Sequence, residues 1–324
     1  MPKFKIREFK IKSAATKNLE GKSEQRVYAM EPASPKGKPI LIFLAGMMGS
    51  GKSMLFNDDF FTENMQQRIE RLYASGRIKG SIYVFPDLMT KFGGCQYTNS
   101  AVAGNYEDFI INEMIPYLKS VYESEKVAVL GKSSGGYGAI TLAMKHPEAI
   151  NAAMDHSGDS YFEYCYMHDF PKARRSIEPF GSAEAWLASF SRKPNKKGND
   201  DLAVLNIIAM AAFYSPIGRK IGLPFDLHTG EIREDVWSTW LSNDPVRMID
   251  THYKALQKLD FLGIDVGLYD QFNLLEGSRA LHKKLSGLNV KHMYSEFKDS
   301  HINISYRYDT SIPLVEKALY KRRG

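Results

Sequence analysis

Runs of apolar residues alternate along the chain with stretches in which apolar residues recur at helical spacing. Residues 4–11 alternate apolar and charged positions, as a half-buried strand does. Later runs such as 39–44 are continuously apolar, which is typical of strands buried on both faces of a sheet. These two patterns predict strands at residues 4–11, 26–30, 39–44, 81–85, 127–130, 151–154, 261–268 and 289–297.

Helical periodicity separates most of these strands. Residues 106–122 place their apolar side chains on one face, and 135–145, 272–285 and 312–320 are further predicted helices. Strands that alternate with helices indicate an α/β protein with a mainly parallel central sheet and helices on both faces.

Residues 162–253 depart from this alternation. They contain helical stretches, at 183–190, 202–214 and 236–241, but no convincing core strand. We interpret 162–253 as a lid-like helical insertion before the penultimate strand, within a single domain of residues 1–324. In that position it could cover a site at the edge of the sheet.

The composition is that of a globular protein. Of 324 residues, 44% are hydrophobic and 25% are charged, which excludes a disordered chain. Cys95 and Cys165 are too few for a disulfide framework, and no Cys/His cluster has zinc-site spacing. No apolar run is long enough for a membrane span, and the first residues lack a signal-peptide core. We expect a cytoplasmic protein with no metal, no cofactor and no membrane association.

Charge does not point to a partner. The chain has 43 Lys and Arg against 37 Asp and Glu, a net charge of +6. The basic residues are scattered and cluster only at 193–197 and 321–323, as on an ordinary solvated surface. We therefore expect no nucleic-acid partner. The sequence does not determine the oligomeric state.

Two glycine-rich motifs predict different chemistries. The first, Gly46-Met47-Met48-Gly49-Ser50-Gly51-Lys52-Ser53, follows an apolar run and matches the Walker A pattern. In that interpretation Lys52 would contact the β- and γ-phosphates of a nucleotide and Ser53 would hold magnesium. An ATP-dependent phosphotransferase that uses Gly46–Ser53 is therefore one hypothesis.

The second motif, Gly131-Lys132-Ser133-Ser134-Gly135, follows a predicted strand and opens a helix. It fits G-x-S-x-G, in which a serine nucleophile occupies a sharp strand-to-helix turn and small neighbours avoid clashes. The amide of Ser134 would then point at the developing oxyanion, near a helix N-terminus. Glycine-rich turns are also common as plain structure, so the motif needs support from other residues.

A serine nucleophile needs a base and an acid that orients the base, in the chain order serine, acid, histidine for α/β-hydrolases. Asp270 follows the predicted strand at 261–268, and His301 follows the strand at 289–297. Both positions are carboxyl ends of strands, where open α/β sheets bind their ligands.

Each partner has a rival. Asp265 lies within its strand, and Asp270 could simply cap the helix that follows it. Among eight histidines, His156 also follows a strand, but it precedes the acid in the chain. Ser133, Asp270 and His301 have the expected order, and the Walker-like segment then becomes an oxyanion loop after the third strand.

Residues 44–51, 106–108, 131–138 and 267–272, together with His301, carry a resemblance to a known family. With these stretches the chain resembles the putative esterase family related to esterase D, which includes S-formylglutathione hydrolases, feruloyl esterases and mycolyltransferases. The resemblance implies an α/β-hydrolase fold with Ser133, Asp270 and His301 as the triad. It also implies an oxyanion hole made by the backbone amides of Met47 and Ser134.

Aromatic and polar residues near the strand ends are candidates for a substrate pocket. Tyr161 and Phe162 follow the sixth strand, Tyr97 and Asn99 lie on a separate loop, and His156 could also line the site. Packing of the insertion on the sheet explains the aromatic residues equally well.

The expected function is that of a serine esterase. It would hydrolyse a carboxylic ester or thioester of a small molecule through an acyl-enzyme on Ser133. The alternatives are the phosphotransferase and a non-catalytic, α/β-hydrolase-like binding protein. The sequence leaves open the acyl and alcohol groups and the choice between hydrolysis and acyl transfer.

Overall fold

An eight-stranded sheet organises the fold, in a computed structural model that describes residues 4–17, 23–196 and 198–321. The strands are β1 Phe4–Lys12, β2 Glu24–Pro32, β3 Ile40–Leu44, β4 Ile82–Asp87, β5 Val127–Lys132, β6 Ala152–His156, β7 Phe261–Gly267 and β8 Met293–Phe297. Their order across the sheet is β1-β2-β4-β3-β5-β6-β7-β8. Strand β2 pairs antiparallel with β1 and β4, and all pairs from β4 to β8 are parallel. The predicted α/β class is confirmed; the basic clusters at 193–197 and 321–323 extend beyond the described residues.

Helices surround this sheet. They are α1 Gly51–Phe56, α2 Met65–Ala74, α3 Tyr106–Asp108, α4 Ile115–Tyr122, α5 Ser134–Lys145, α6 Phe162–Cys165, α7 Phe170–Ile177, α8 Ala183–Arg192, α9 Asn199–Tyr214, α10 Glu234–Leu241, α11 Pro245–Leu256, α12 Leu274–Gly287 and α13 Tyr308–Leu319. In the described part of the chain, none of the helices is long and apolar enough to cross a membrane.

The helix predicted at 106–122 is not continuous. It consists of α3, a π-helical turn over Phe109–Met114, and α4. Pro116 lies in the first turn of α4. Because proline has no N–H to bond to the preceding turn, it explains the change of helical type at this junction.

Both faces of the sheet are buried, which is why the strand sequences are continuously apolar. Within β3, Ile40 and Ile42 join the hydrophobic cluster that contains α4, α5 and α12, whereas Leu41 and Phe43 join the cluster that contains α2 and α13. This alternation follows from the two-residue period of a strand. The central strands therefore lie between two layers of helices.

The segment between β6 and β7 carries α6 to α11. Its aromatic side chains pack together: the ring of Phe162 lies 5.2 Å from that of Tyr214 and 4.8 Å from that of Tyr166. Trp240 is fully buried and donates its indole N–H to the hydroxyl of Ser215 at 2.7 Å. Helix α11 packs on α5 and α12, so the segment shares the hydrophobic cluster of that face.

A buried carboxylate holds the last helix against the sheet. Glu316 of α13 is 2% exposed and accepts the backbone N–H groups of Lys79 at 2.7 Å and Ser81 at 3.0 Å. It also accepts the hydroxyl of Tyr83 in β4 at 2.5 Å. These bonds satisfy three donors at the start of β4 at once.

We expect Glu316→Ala to lower the free energy of unfolding by about 3 kcal/mol, because three donors lose their acceptor. Glu316→Gln keeps one acceptor oxygen and should cost less. Urea denaturation followed by circular dichroism measures both. Glu276→Ala, at an exposed position of α12, is the control and should stay within about 0.5 kcal/mol of wild type. An equal effect of Glu316→Ala and Glu276→Ala would contradict the anchoring role.

Candidate active site

Ser133 occupies the turn between β5 and α5 in a strained backbone conformation. Its φ is 58° and its ψ is −127°, a region that non-glycine residues rarely adopt. Its N–H donates to the carbonyl of His156 at 3.0 Å, and its own carbonyl accepts the N–H of Tyr137 at 2.9 Å. A Cβ at Gly135 would lie 2.0 Å from the carbonyl oxygen of Leu44, so only glycine lets α5 approach β3 this closely. The turn has the geometry of a nucleophile elbow.

The loop after β3 lies directly against this elbow. A Cβ at Gly46 would be 3.2 Å from the Cβ of Ser133. Two bonds hold the loop in place: the Tyr97 hydroxyl donates to the carbonyl of Ala45 at 2.5 Å, and the Met48 N–H donates to the carbonyl of Gly93 at 2.6 Å. Met47, whose amide was predicted to bind the oxyanion, lies between these two fixed points.

The Walker-like residues have structural partners in this loop. Ser53 donates its hydroxyl to the carbonyl of Ser50 at 2.9 Å, and the two side chains form a capping box at the start of α1. Lys52 is exposed, and α1 is only six residues long. The hydroxyl predicted to hold magnesium is thus used to cap a short helix.

Asp270 and His301 form a buried pair. The Nδ1 of His301 lies 2.8 Å from the Oδ2 of Asp270, whose side chain is fully buried. The N–H of Phe272 donates to the other carboxylate oxygen at 2.9 Å, and Gln271 accepts the N–H of His301 at 3.0 Å. Because Asp270 engages Nδ1, the Nε2 atom of the ring is the one left for proton transfer.

Strand register places this pair and the elbow at one edge of the sheet. Lys132, the residue before the nucleophile, is level with His156 across the β5–β6 pair, and Gly267 is level with Phe297 across the β7–β8 pair. Burial lowers the pKa of Lys132, and the charge of Asp270 partly opposes that effect. Asp270 is therefore close enough to Lys132, the neighbour of Ser133, for their charges to interact.

A second His–Asp pair lies beneath the elbow. The Nδ1 of His156 is 2.6 Å from Asp265 and its Nε2 is 2.9 Å from the hydroxyl of Ser311 in α13. Arg307 donates to the other oxygen of Asp265 at 3.0 Å. His156 is 1% exposed. Its ring is occupied by protein groups on the α13 face, which corrects the expectation that it lines the pocket.

The other expected pocket residues have varied surroundings. Tyr97 is buried under the loop after β3, and Phe162 is buried in the aromatic cluster of the insertion. Asn99 is exposed and accepts the N–H of Asp108 at 3.0 Å, near the start of a helix. For these three residues the contacts are those of packing and capping. Tyr161 is half-buried, with a φ of 58°.

The sequence analysis did not identify one residue of the candidate site. Asp159, on the loop after β6, is buried beside Ser134 and within electrostatic range of His301. Its position after a strand that ends at the same sheet edge was the available signal. Within the described residues, no cluster of three or more His, Cys, Asp or Glu side chains could hold a metal ion.

Comparisons with known proteins agree with this fold. Residues 22–304 match the family described as "Putative esterase". A solved ferulic acid esterase superposes with a TM-score of 0.61 at 16% identity, covering 98% of this chain and all of that one. An S-formylglutathione hydrolase from Agrobacterium tumefaciens has a TM-score of 0.61 at 14% identity, over 98% of this chain and 97% of that one. The fluorophosphonate-binding serine hydrolase F of Staphylococcus aureus has a TM-score of 0.54 at 15% identity, over 98% and 99%. At these identities the structures share the fold.

Comparison with curated protein sequences gave no significant match. The family match favours the esterase interpretation and does not favour the phosphotransferase.

Asp155 gives the site a pH-dependent stability. It lies in β6 on the α5 side, where a Cβ at Gly136 would be 2.3 Å from its Oδ1, and that oxygen has no hydrogen-bond partner. Burial raises the pKa of Asp155 to about 8, although a hydrogen bond from the Gly158 amide opposes the shift. The folded protein therefore retains a proton that the unfolded chain loses near pH 4.

Because this pKa is raised in the folded state, the stabilising contribution is complete below about pH 4 and is lost as the pH rises toward 8. We expect wild type to lose more unfolding free energy between pH 5 and pH 8 than Asp155→Asn does. Urea unfolding at both values measures the difference. Parallel losses in the two proteins would contradict a proton on Asp155.

Proposed function

The chain belongs to the esterase family, and we propose that it hydrolyses a carboxylic ester or thioester through an acyl-enzyme on Ser133. One observation carries the proposal: the Asp270–His301 hydrogen bond occurs on the sheet edge that holds the strained Ser133. The three residues follow the chain order of α/β-hydrolases.

In the proposed mechanism, Nε2 of His301 takes the proton of the Ser133 hydroxyl as its oxygen attacks the substrate carbonyl. Asp270 holds the ring and stabilises the imidazolium that forms. The amides of Met47 and Ser134 donate to the oxyanion, and one such donor is typically worth about 3 kcal/mol. His301 then protonates the leaving group, and water releases the acyl group from Ser133 in the second half-reaction.

The substrate is proposed to be a small-molecule ester or thioester. The solved proteins of the same fold include one named a ferulic acid esterase and one named an S-formylglutathione hydrolase. We place specificity in the lid-like region 162–253 together with Tyr161, the half-buried residue that precedes it. We also propose a cytoplasmic location, because Cys95 and Cys165 are too few for the disulfide framework that is typical of small secreted proteins.

Fluorophosphonate labelling tests the nucleophile. We expect wild type to react and Ser133→Ala to be unreactive, because the probe phosphonylates only an activated serine. Ser311→Ala is the matched control, since Ser311 bonds to the histidine of the other His–Asp pair but is completely buried. That variant should still be labelled at Ser133, as mass spectrometry of the modified peptide would establish.

Other outcomes would reject the proposal. If wild type does not react, or if Ser133→Ala reacts equally well, Ser133 is not the nucleophile. If the folded wild type turns over none of a broad panel of p-nitrophenyl esters, the chain is a binding protein that uses the hydrolase fold.

Asp270→Asn tests the acid. It removes the charge that orients His301 and should slow labelling by about 10³-fold, with the fold unchanged. Asp235→Asn is the same substitution at an exposed position of α10 and should label at the wild-type rate. A rate for Asp270→Asn close to that of wild type would assign the orienting role to another group.

A further inference from the structure

Asp159 is a buried carboxylate that touches the elbow. A single oxygen, Oδ2, accepts three side-chain donors: the hydroxyl of Tyr166 at 2.9 Å, the amide of Gln96 at 3.2 Å and the hydroxyl of Ser134 at 3.4 Å. The residue is 8% exposed. The Ser134 contact places the carboxylate one residue from the proposed nucleophile.

Asp159 differs from other buried acids of this chain because it has no cationic partner among the described residues. No ion pair that involves Asp159 is found in the parts of the chain that the structure describes, whereas two neighbouring buried acids each have one. Asp244 lies 2.6 Å from Arg247, and Asp265 lies 3.0 Å from Arg307. Burying an unpaired carboxylate costs several kcal/mol. A cation that arises only during the reaction would offset that cost when it matters.

We propose that Asp159 is a positioning residue of the active site, whose buried negative charge favours the protonated form of His301. The inference rests on the proposed function, in which His301 gains a proton from Ser133. The ring passes from neutral to a charge of +1 at that step. In a buried site a nearby carboxylate stabilises this charge more than it would in water. Asp159 thus acts on the same ring as Asp270, which bonds to Nδ1.

Groups other than Asp159 also lie near His301 and have identifiable partners. Asp270 bonds directly to the ring, and the edge of the uncharged Phe272 ring packs on it. Lys132 interacts electrostatically with Asp270. Asp155 interacts with Asp159 from β6. Burial raises the pKa of Asp159, while its three hydrogen bonds and the charge of His301 lower it.

The pH dependence of fluorophosphonate labelling tests this role without a known substrate. In the reaction, the Ser133 oxygen bonds to phosphorus, the P–F bond breaks, fluoride leaves, and the serine proton passes to His301. The rate should rise with pH as His301 loses its resting proton. In Asp159→Asn the imidazolium loses a stabilising charge, so the midpoint should fall by about 0.5 pH units or more. The rate at the plateau should also fall several-fold, because the base is weaker.

Asp244→Asn is the matched control. It neutralises a buried carboxylate that accepts the N–H groups of Tyr161 and Phe162, so it loosens the same stretch of chain. Its oxygens bond to that stretch and to Arg247 rather than to the elbow, and we expect the midpoint to stay at the wild-type value. A midpoint that moves equally in both variants would show a structural effect and overturn the proposal.

Tyr166→Phe provides a second route if Asp159→Asn does not fold. It removes one donor from the carboxylate, which favours the neutral acid, and the midpoint should move in the same direction by less. Suppose that wild type labels at Ser133 but the midpoint is unchanged in every folded variant of Asp159 or Tyr166. That result rejects the role of Asp159 and leaves the proposed function intact. Loss of labelling at Ser133 in wild type rejects the proposed function instead.

Discussion

The backbone of Ser133 holds a conformation that costs a non-glycine residue about 1–3 kcal/mol, and its neighbours prevent it from relaxing. The N–H bonds to His156 and the carbonyl bonds to Tyr137, so a change of either torsion angle would break a hydrogen bond. Behind the turn, α5 approaches β3 so closely that position 135 accepts only glycine. The same packing sets the distance between the elbow and the loop after β3. The geometry proposed for the oxyanion hole therefore follows from how β3, β5 and α5 pack.

Four buried aspartates around this elbow show how environment separates one residue type into different roles. Asp270 and Asp265 each bond to a histidine, whereas Asp155 and Asp159 do not. Asp155 has an oxygen without a partner, and burial keeps its proton on. Asp159 has three donors and no counter-cation among the described residues. The charge of each carboxylate near the site thus depends on how many hydrogen-bond donors and cations surround it.

Two sets of serine, histidine and aspartate lie at one end of the sheet, namely the proposed triad and the set of Ser311, His156 and Asp265, and burial distinguishes them. In the set that contains Ser311, this serine is completely buried, and Arg307 neutralises Asp265. This set ties α13 to β6 and β7, and the backbone carbonyl of its histidine supports the elbow above. In the proposed triad, Ser133 is partly exposed on its turn. Residue types alone do not show whether a serine, a histidine and an aspartate can act on a substrate or only hold the fold together. The difference depends on access to solvent, which is a property of the packed molecule.

The sequence by itself determined the class of fold, the strands, and the positions of Ser133, Asp270 and His301 at strand ends, because hydrophobic period and chain order are local properties. Only the tertiary structure decided how the remaining polar residues pair. His156 follows a strand just as His301 does, yet its side chain points to the α13 face and meets Ser311, 155 residues away. Likewise Asp159 acquires its donors from Gln96 and Tyr166, which no spacing rule connects. Such contacts depend on which face of the sheet a side chain occupies and on what the folded chain brings against it.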